Sequence, residues 1–258
     1  MMRRAVHEAL TVALGRHAFG QRLIELPLVR RPLVKMILPA EAALSMAFFT
    51  ADCLERADRG ETEAQTLRRI LTPLIKLRAC RDARKVTGDA MEMRGGNGYI
   101  EEWIEPRLLR ESHLGSIWEG TSNIIALDVV RAAGKAAAHR LLEAQLKVML
   151  APAPGDLAAA LGERLSAALG LIERAGAEDG ADAAAARQAA TALYYATAAA
   201  LLVREAALLQ DPVREDLARL ILAHKLAPRD PLATSAQDDA RGERMIRSLV
   251  AARRGGAA

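Results

Sequence analysis

Apolar side chains recur at spacings of three and four along two long stretches, and this period constrains the fold more than any other feature. Leu33, Met36, Ile37, Ala40, Leu44, Ala47 and Phe48 form one series; Leu67, Leu71, Leu74, Ile75, Val86 and Met93 form another. Residues so spaced share one face of a helix of about 3.6 residues per turn. No stretch of useful length alternates apolar with polar residues, as a half-buried strand would. The expectation is an all-α fold. Hydrophobic residues make up 51% of the chain but aromatics only 3%, so the core must be built from Ala, Leu, Ile, Val and Met. Most of these favour helix, and small Ala faces let helices approach closely.

The same reading divides the chain. A first helix is expected from about Met1 to Arg16, with Ala5, Ala9, Leu10, Val12 and Ala13 on one broad face and Gly20 as its stop. The absence of a cap before its first turn suggests that sequence upstream is missing. A second helix should follow Leu28 and end near Gly60, with Pro32 in its first turn and a kink at Pro39. A third should run from Thr62 to Met93, kinked or broken at Pro73. Gly95-Gly96-Asn97-Gly98-Tyr99 is a turn, Glu101 to Arg110 reads as loop or short helical pieces, and a further helix begins at Thr121 or Ser122. Ala151-Pro152-Ala153-Pro154-Gly155 is a linker. Residues 1–150 should thus form one helical domain and 156–258 a helical extension. In the extension Asp156 is expected to cap one helix, and a second spans about Ala181 to Leu209. Asp211-Pro212 opens a third, and Asp230-Pro231 breaks the chain before the last.

The net charge of +4 would favour an anionic partner such as a CoA phosphate, a nucleotide cofactor or nucleic acid, although a solvated basic surface is the ordinary cause. Cys53 and Cys80 lack metal-ligand spacing, which points to a reduced, cytoplasmic protein without a metal site. No apolar run approaches the roughly 20 residues of a membrane span, and no signal peptide opens the chain. Walker loops, dinucleotide Gly fingerprints, zinc clusters and nucleophilic triads are all missing.

One segment carries chemistry. In Ser116-Ile117-Trp118-Glu119-Gly120-Thr121-Ser122-Asn123-Ile124, Gly120 breaks what precedes it and Thr121 and Ser122 are residues of the capping type before an apolar helix. Glu119 therefore sits on a short tether at a helix start, beside Trp118 and Ile117. Apolar company would favour its neutral form and raise its pKa toward the range of a general base. A carboxylate at a helix N-terminus is also an ordinary partner of the helix dipole.

Trp118-Glu119-Gly120-Thr121-Ser122-Asn123-Ile124 closely resembles the signature of the acyl-CoA dehydrogenase family. Met93-Arg94-Gly95-Gly96-Asn97-Gly98-Tyr99 resembles its double-glycine turn, Glu105 to Glu111 its charged connector, and Arg16-His17-Ala18-Phe19-Gly20 its Arg-x-x-Phe-Gly element. The four occur in family order over about residues 1–145. Ser116 to Gly120 and Leu127 to Arg131 lean toward the alkylation-response and isovaleryl-CoA dehydrogenase-like branch. The resemblance implies a four-helix-bundle C-terminal domain, FAD as cofactor and an acyl-CoA as substrate. It implies that Glu119 is the catalytic base, that Thr121 and Asn123 lie beside the flavin, and that Arg16 and Phe19 meet the adenosine-diphosphate portion of FAD, commonly across a subunit interface. Gly95, Gly96 and Glu92 fall on the same dinucleotide side. Three positions depart from the common pattern: Glu92 replaces Gln, Arg94 an aromatic residue, and Pro27 a Gln. The resemblance further implies a homodimer or homotetramer. The N-terminal helical and β-domains of the family are not in this sequence, so the chain alone is expected to bind FAD weakly and to turn over no acyl-CoA. The alternative is a module of an alkylation-response flavoprotein for oligomerisation or for weak DNA binding through the Arg-rich extension.

Overall fold

The computed structural model describes residues 1–177, 183–227, 232 and 235–255. Among these the chain is almost wholly helical, as the apolar period requires. Ten α-helices follow one another: α1 Met2–Gly15, α2 Pro27–Asp58, α3 Thr62–Arg94, α4 Glu105–Leu114, α5 Ser122–Gly134, α6 Ala138–Leu150, α7 Gly155–Ala175, α8 Ala186–Leu209, α9 Pro212–Ile221 and α10 Ala236–Gly255. The expected break at Asp230-Pro231 and the expected helix start at Ala181 lie outside the described residues. Two compact units emerge, one of Met1–Glu41, Cys80–Gly115 and Asp230–Ala258, the other of Ala42–Ala79 and Ser116–Arg229.

In the first unit α1 buries Met2, Ala5, Val6, Ala9, Leu10 and Ala13. It ends one turn earlier than Gly20 suggests. Arg16 is its C-cap, and the chain then makes a small hairpin, β1 His17–Ala18 against β2 Gln21–Arg22, with Phe19 and Gly20 both left-handed at its tip. Two positive φ angles in a row suit the right-handed twist of a two-residue hairpin. Helix α10 is tied back by Arg30 Nη1 to Glu243 Oε1 at 3.0 Å and by Arg253 Nη2 to the Thr11 hydroxyl at 2.8 Å. After α3 the Gly95–Gly98 turn is a short 3₁₀ segment. A Cβ on Gly98 would stand 2.2 Å from the Met91 carbonyl oxygen, so only glycine fits there. Within Glu101 to Arg110, expected as loop or short helical pieces, Glu105 opens α4, which runs on to Leu114. Pro106 falls in its first turn, where its missing N–H costs nothing.

The second unit is organised by α8, which packs against α5, α6, α7 and α9. From Leu193 to Val203 every residue of α8 is buried, as befits a central helix. Tyr194 is fully buried with its ring edge-on to Tyr195, 5.2 Å between centroids. Elsewhere alanine dominates: Ala189, Ala190, Ala196, Ala198, Ala199 and Ala200 are all buried. Asp211 caps α9 by accepting from the Val213 N–H at 2.9 Å. Asp156 does not cap α7. Pro154 occupies the cap position, and Asp156, one residue inside the helix, instead accepts two bonds from Arg219 at 2.6 and 3.2 Å. Five residues of π-helix, Leu222–Leu226, continue α9.

The prolines of α2 and α3 do not break them. Pro27 takes the first helical position, Pro32 falls beyond the first turn, and Pro39 and Pro73 sit inside continuous helices. Each removes only one backbone bond, a loss that buried neighbours such as Leu38, Leu71 and Leu74 can offset. By length and hydropathy α2 and α8 could cross a bilayer, but 61% of each apolar window is buried within the chain, as in a core helix.

Arg69 of α3 grips Asp128 of α5 with two bonds, 3.0 and 2.6 Å, and its guanidinium holds the Asp128 carboxyl below the usual range. A depressed folded-state pKa stabilises above the unfolded value and is lost as pH falls through the folded one. Both partners are partly solvated, so Asp128→Asn should cost about 1 kcal/mol or less near neutrality. Urea unfolding should show that difference shrinking to nothing in strong acid. Gly98→Ala should be far more damaging, roughly 2–4 kcal/mol, because backbone must move to admit the methyl group. Thermal unfolding followed by circular dichroism would measure it, and an unchanged midpoint would refute the close approach at Met91.

Candidate functional site

The tether between α4 and α5 holds Glu119 in a conformation that few non-glycine residues adopt. Its φ is 56°, and Gly120 follows at 113°. A left-handed Glu costs of order 1 kcal/mol or more and persists only where the surroundings fix it. Here Gly120 does much of the fixing. A Cβ at that position would approach Ile125 Cδ1 to 3.2 Å and Ile124 Cγ2 to 3.4 Å, so the tether lies flat on the first turn of α5. The reversal sets Thr121 as an extended N-cap, though its hydroxyl makes no cap bond. The expectation of side-chain capping by Thr121 is thus not met, and the hydroxyl stays exposed.

The Glu119 side chain is 69% exposed, and its Oε2 accepts from Lys76 Nζ at 3.2 Å. Lys76 itself is only 17% exposed, and its ammonium lies 5.5 Å from the Trp118 ring centroid. The apolar enclosure expected around Glu119 is therefore not provided by this chain. Ile117 and Trp118 are themselves 62% and 55% exposed, so they cannot desolvate a neighbour. One turn into α5, Asn123 Oδ1 accepts from Arg187 Nη1 of α8 at 3.3 Å.

A second group of expected residues gathers in the other unit. Arg16, Gly96, Asn97, Arg94 and Trp103 line a cavity of about 520 Å³. The Arg16 guanidinium has no carboxylate partner among the described residues, and a Cβ on Gly95 would stand 3.6 Å from its Nη1. Phe19, expected at the cofactor, is 92% exposed at the hairpin tip. Glu92 is exposed on the last turn of α3.

Sequence reasoning missed three groups. Lys76, the partner of Glu119, is one cation in a long amphipathic helix. Arg94 is buried and clamped: Nε donates to Glu105, Nη2 donates to Glu8 at 2.7 Å, and the guanidinium carbon lies 4.2 Å from the Trp103 ring centroid. Its departure from the family's aromatic residue was the one available signal. Arg187 comes from the extension, which no motif connects to Asn123.

With this geometry in view, comparison with known proteins is direct. The family description "Acyl-CoA dehydrogenase, C-terminal domain" matches residues 1–134. AidB of Escherichia coli (strain K12) is 41% identical over 137 residues, which cover 53% of this chain and 25% of that protein. Acyl-CoA dehydrogenase family member 11 of Caenorhabditis elegans is 35% identical over 133 residues, covering 50% and 21%. The chain thus spans a quarter or less of the length of these relatives. Among solved structures, Caenorhabditis elegans ACDH-11 in complex with C11-CoA superposes with a TM-score of 0.76 at 24% identity, covering 96% of this chain and 44% of that one. An acyl-CoA dehydrogenase from Bacillus anthracis complexed with FAD gives 0.72 at 17% identity, covering 96% and 53%. These last two likenesses concern the fold, and they run through the extension as well as the matched domain. The chain belongs to the acyl-CoA dehydrogenase family, with its first 134 residues matching the C-terminal helical domain.

Proposed function

We propose that this chain is the C-terminal helical part of a cytoplasmic, FAD-dependent acyl-CoA dehydrogenase, and that Glu119 is its general base. The observation that carries the reading is the left-handed backbone of Glu119, a strained conformation of the kind that collects at functional positions. A carboxylate on a short tether presents its oxygen in a narrow range of directions, which is what removal of a proton from carbon requires. Lys76 fixes Oε2, leaving Oε1 as the oxygen that takes the α-proton of the acyl thioester.

The residues present suit FAD in part. The Arg16 guanidinium, without a carboxylate partner among the described residues, lies beside Gly95 and lines one cavity with Gly96, and Arg presents paired donors to a pyrophosphate. Phe19, fully outside this chain on a strained hairpin, offers an apolar contact to the cofactor or a second subunit. Thr121 and Asn123 present polar groups at the start of α5, where free N–H groups favour a polar cofactor edge. FAD, when bound, accepts the hydride that leaves the β-carbon. Glu119 is too exposed here to work in a dry pocket, so polypeptide outside these residues must wall the flavin and exclude water. An oligomer, dimer or tetramer, is part of the same proposal. The duplex-binding alternative has less support, because several arginines of the extension are already paired: Arg214 with Glu205, Arg219 with Asp156 and Glu215, and Arg241 with Asp238.

Titration of the purified chain with FAD, followed by flavin fluorescence, should show weak saturable binding. Arg16→Ala should weaken it roughly tenfold to a hundredfold, the worth of a charge-assisted bond. Offered an acyl-CoA and an electron acceptor, the chain alone should give no turnover. In the flavin-loaded assembly, Glu119→Gln should cut dehydrogenation by about 10²–10⁴-fold with FAD affinity unchanged. Full activity in that variant would remove Glu119 from the mechanism.

A further inference from the structure

The second unit contains a groove of about 460 Å³ among α7, α8 and the π-helical segment, built from residues that none of the family motifs include. Arg164 comes from α7, Arg187 from α8 and Lys225 from the π-helical turn, so three elements each contribute a cation. None of its lining residues is acidic. Arg187 donates only to the neutral Asn123 amide oxygen at 3.3 Å, so its charge is uncompensated by any described carboxylate. Arg164 pairs at 3.0 Å with its neighbour Glu163, whose side chain is 71% exposed, and a solvated pair of that kind is worth little. The ammonium of Lys225 lies 5.3 Å from the Tyr195 ring centroid, and the Arg78 guanidinium carbon is 5.9 Å from the same centroid. The floor is aliphatic: Ala168, Leu171, Ala192 and Leu226. No aromatic ring lines the groove, which disfavours a stacked nucleobase. Segments of π-helix are rare and concentrate where a function is served.

We propose that this groove binds a small anionic amphiphile, with a phosphate or carboxylate head held by Arg164, Arg187 and Lys225 and a short aliphatic body laid along Ala168, Leu171 and Leu226. Guanidinium forks match such heads with paired bonds. The volume is that of a small-molecule site, with apolar walls and a few convergent polar groups. A nucleic-acid backbone, by contrast, would use the cations and leave the aliphatic floor without a partner.

Isothermal titration of the whole chain with octyl phosphate, and separately with inorganic phosphate, tests this. Octyl phosphate should bind at one site at least tenfold more tightly than inorganic phosphate. Arg187→Gln and Lys225→Gln should each weaken it by roughly tenfold to a hundredfold. Ala167→Trp, which alters no charge at an exposed helical position lining the groove, should block it. Arg247→Gln, at a side chain 77% exposed and paired with Glu243 in the other unit, should leave it unchanged. Equal affinity for the two phosphates, an unaffected Arg187→Gln variant, or an equal loss in Arg247→Gln would overturn the proposal. So would a short DNA duplex that binds with the same loss in Arg187→Gln while Ala167→Trp has no effect. Vesicles containing phosphatidic acid distinguish the sources. Retention of the chain, abolished by Arg187→Gln, identifies a lipid headgroup; no retention alongside octyl phosphate binding identifies a free ligand, and either result keeps the site.

Discussion

Two consecutive left-handed residues, Glu119 and Gly120, set everything that the tether between α4 and α5 can do. Glycine at the second position lets the chain lie against Ile124 and Ile125, and this contact forces the reversal that leaves Glu119 strained. The strain is small beside what α5 gains by burying Ala126, Val129, Ala132 and Ala133, so the helix can hold the tether in place. Asp128, gripped by Arg69, fixes the same helix from its exposed side. A carboxylate mounted this way is precise in position but open to water. Position is therefore intrinsic to this chain, whereas desolvation is not.

Arg94 and Arg16 line one cavity and illustrate opposite uses of the same side chain. Arg94 is buried, and an isolated buried guanidinium would be prohibitively costly. Two carboxylates, Glu8 and Glu105, and the face of Trp103 offset that cost, but they also consume its donors. Breaking this cluster to reach a ligand would expose one buried charge without a partner. Arg16 stands at a helix end with no carboxylate among the described residues, so its donors can turn to an anion without first giving up a bond. The Arg94 cluster shapes the cavity wall and the Arg16 guanidinium is what remains available within it.

The helices were legible because their apolar period is local, and the turn at Gly120 before α5 was legible because its signal is contiguous. What the sequence could not reveal depends on pairs far apart in the chain. Glu8 and Arg94 are 86 residues apart, and Lys76 and Glu119 are 43 apart. No spacing rule predicts either meeting. Asp156 looked like a cap because acids often are, and it was diverted by an arginine 63 residues away. Pro73 could have broken its helix by local propensity alone, yet α3 runs unbroken from Thr62 to Arg94. The burial expected around Glu119 failed for a related reason: Trp118 and Ile117 are apolar, but apolar residues desolvate a neighbour only when they are themselves covered.

The extension makes the same point about charge. Its arginines are numerous enough to suggest a polyanion partner, yet number does not measure availability. In α9, Arg219 is neutralised by Glu215 one turn earlier and by Asp156 of α7; Arg214 is neutralised by Glu205. Carboxylates placed at such distances turn these two arginines into internal ties between helices. Arg187 differs because its contact on α5 is an amide, which accepts a bond without cancelling a charge. The uncancelled charge of Arg187 thus stands at a groove whose floor is aliphatic. That pairing of features selects for an amphiphile over a bare polyanion, since only the former satisfies both surfaces at once.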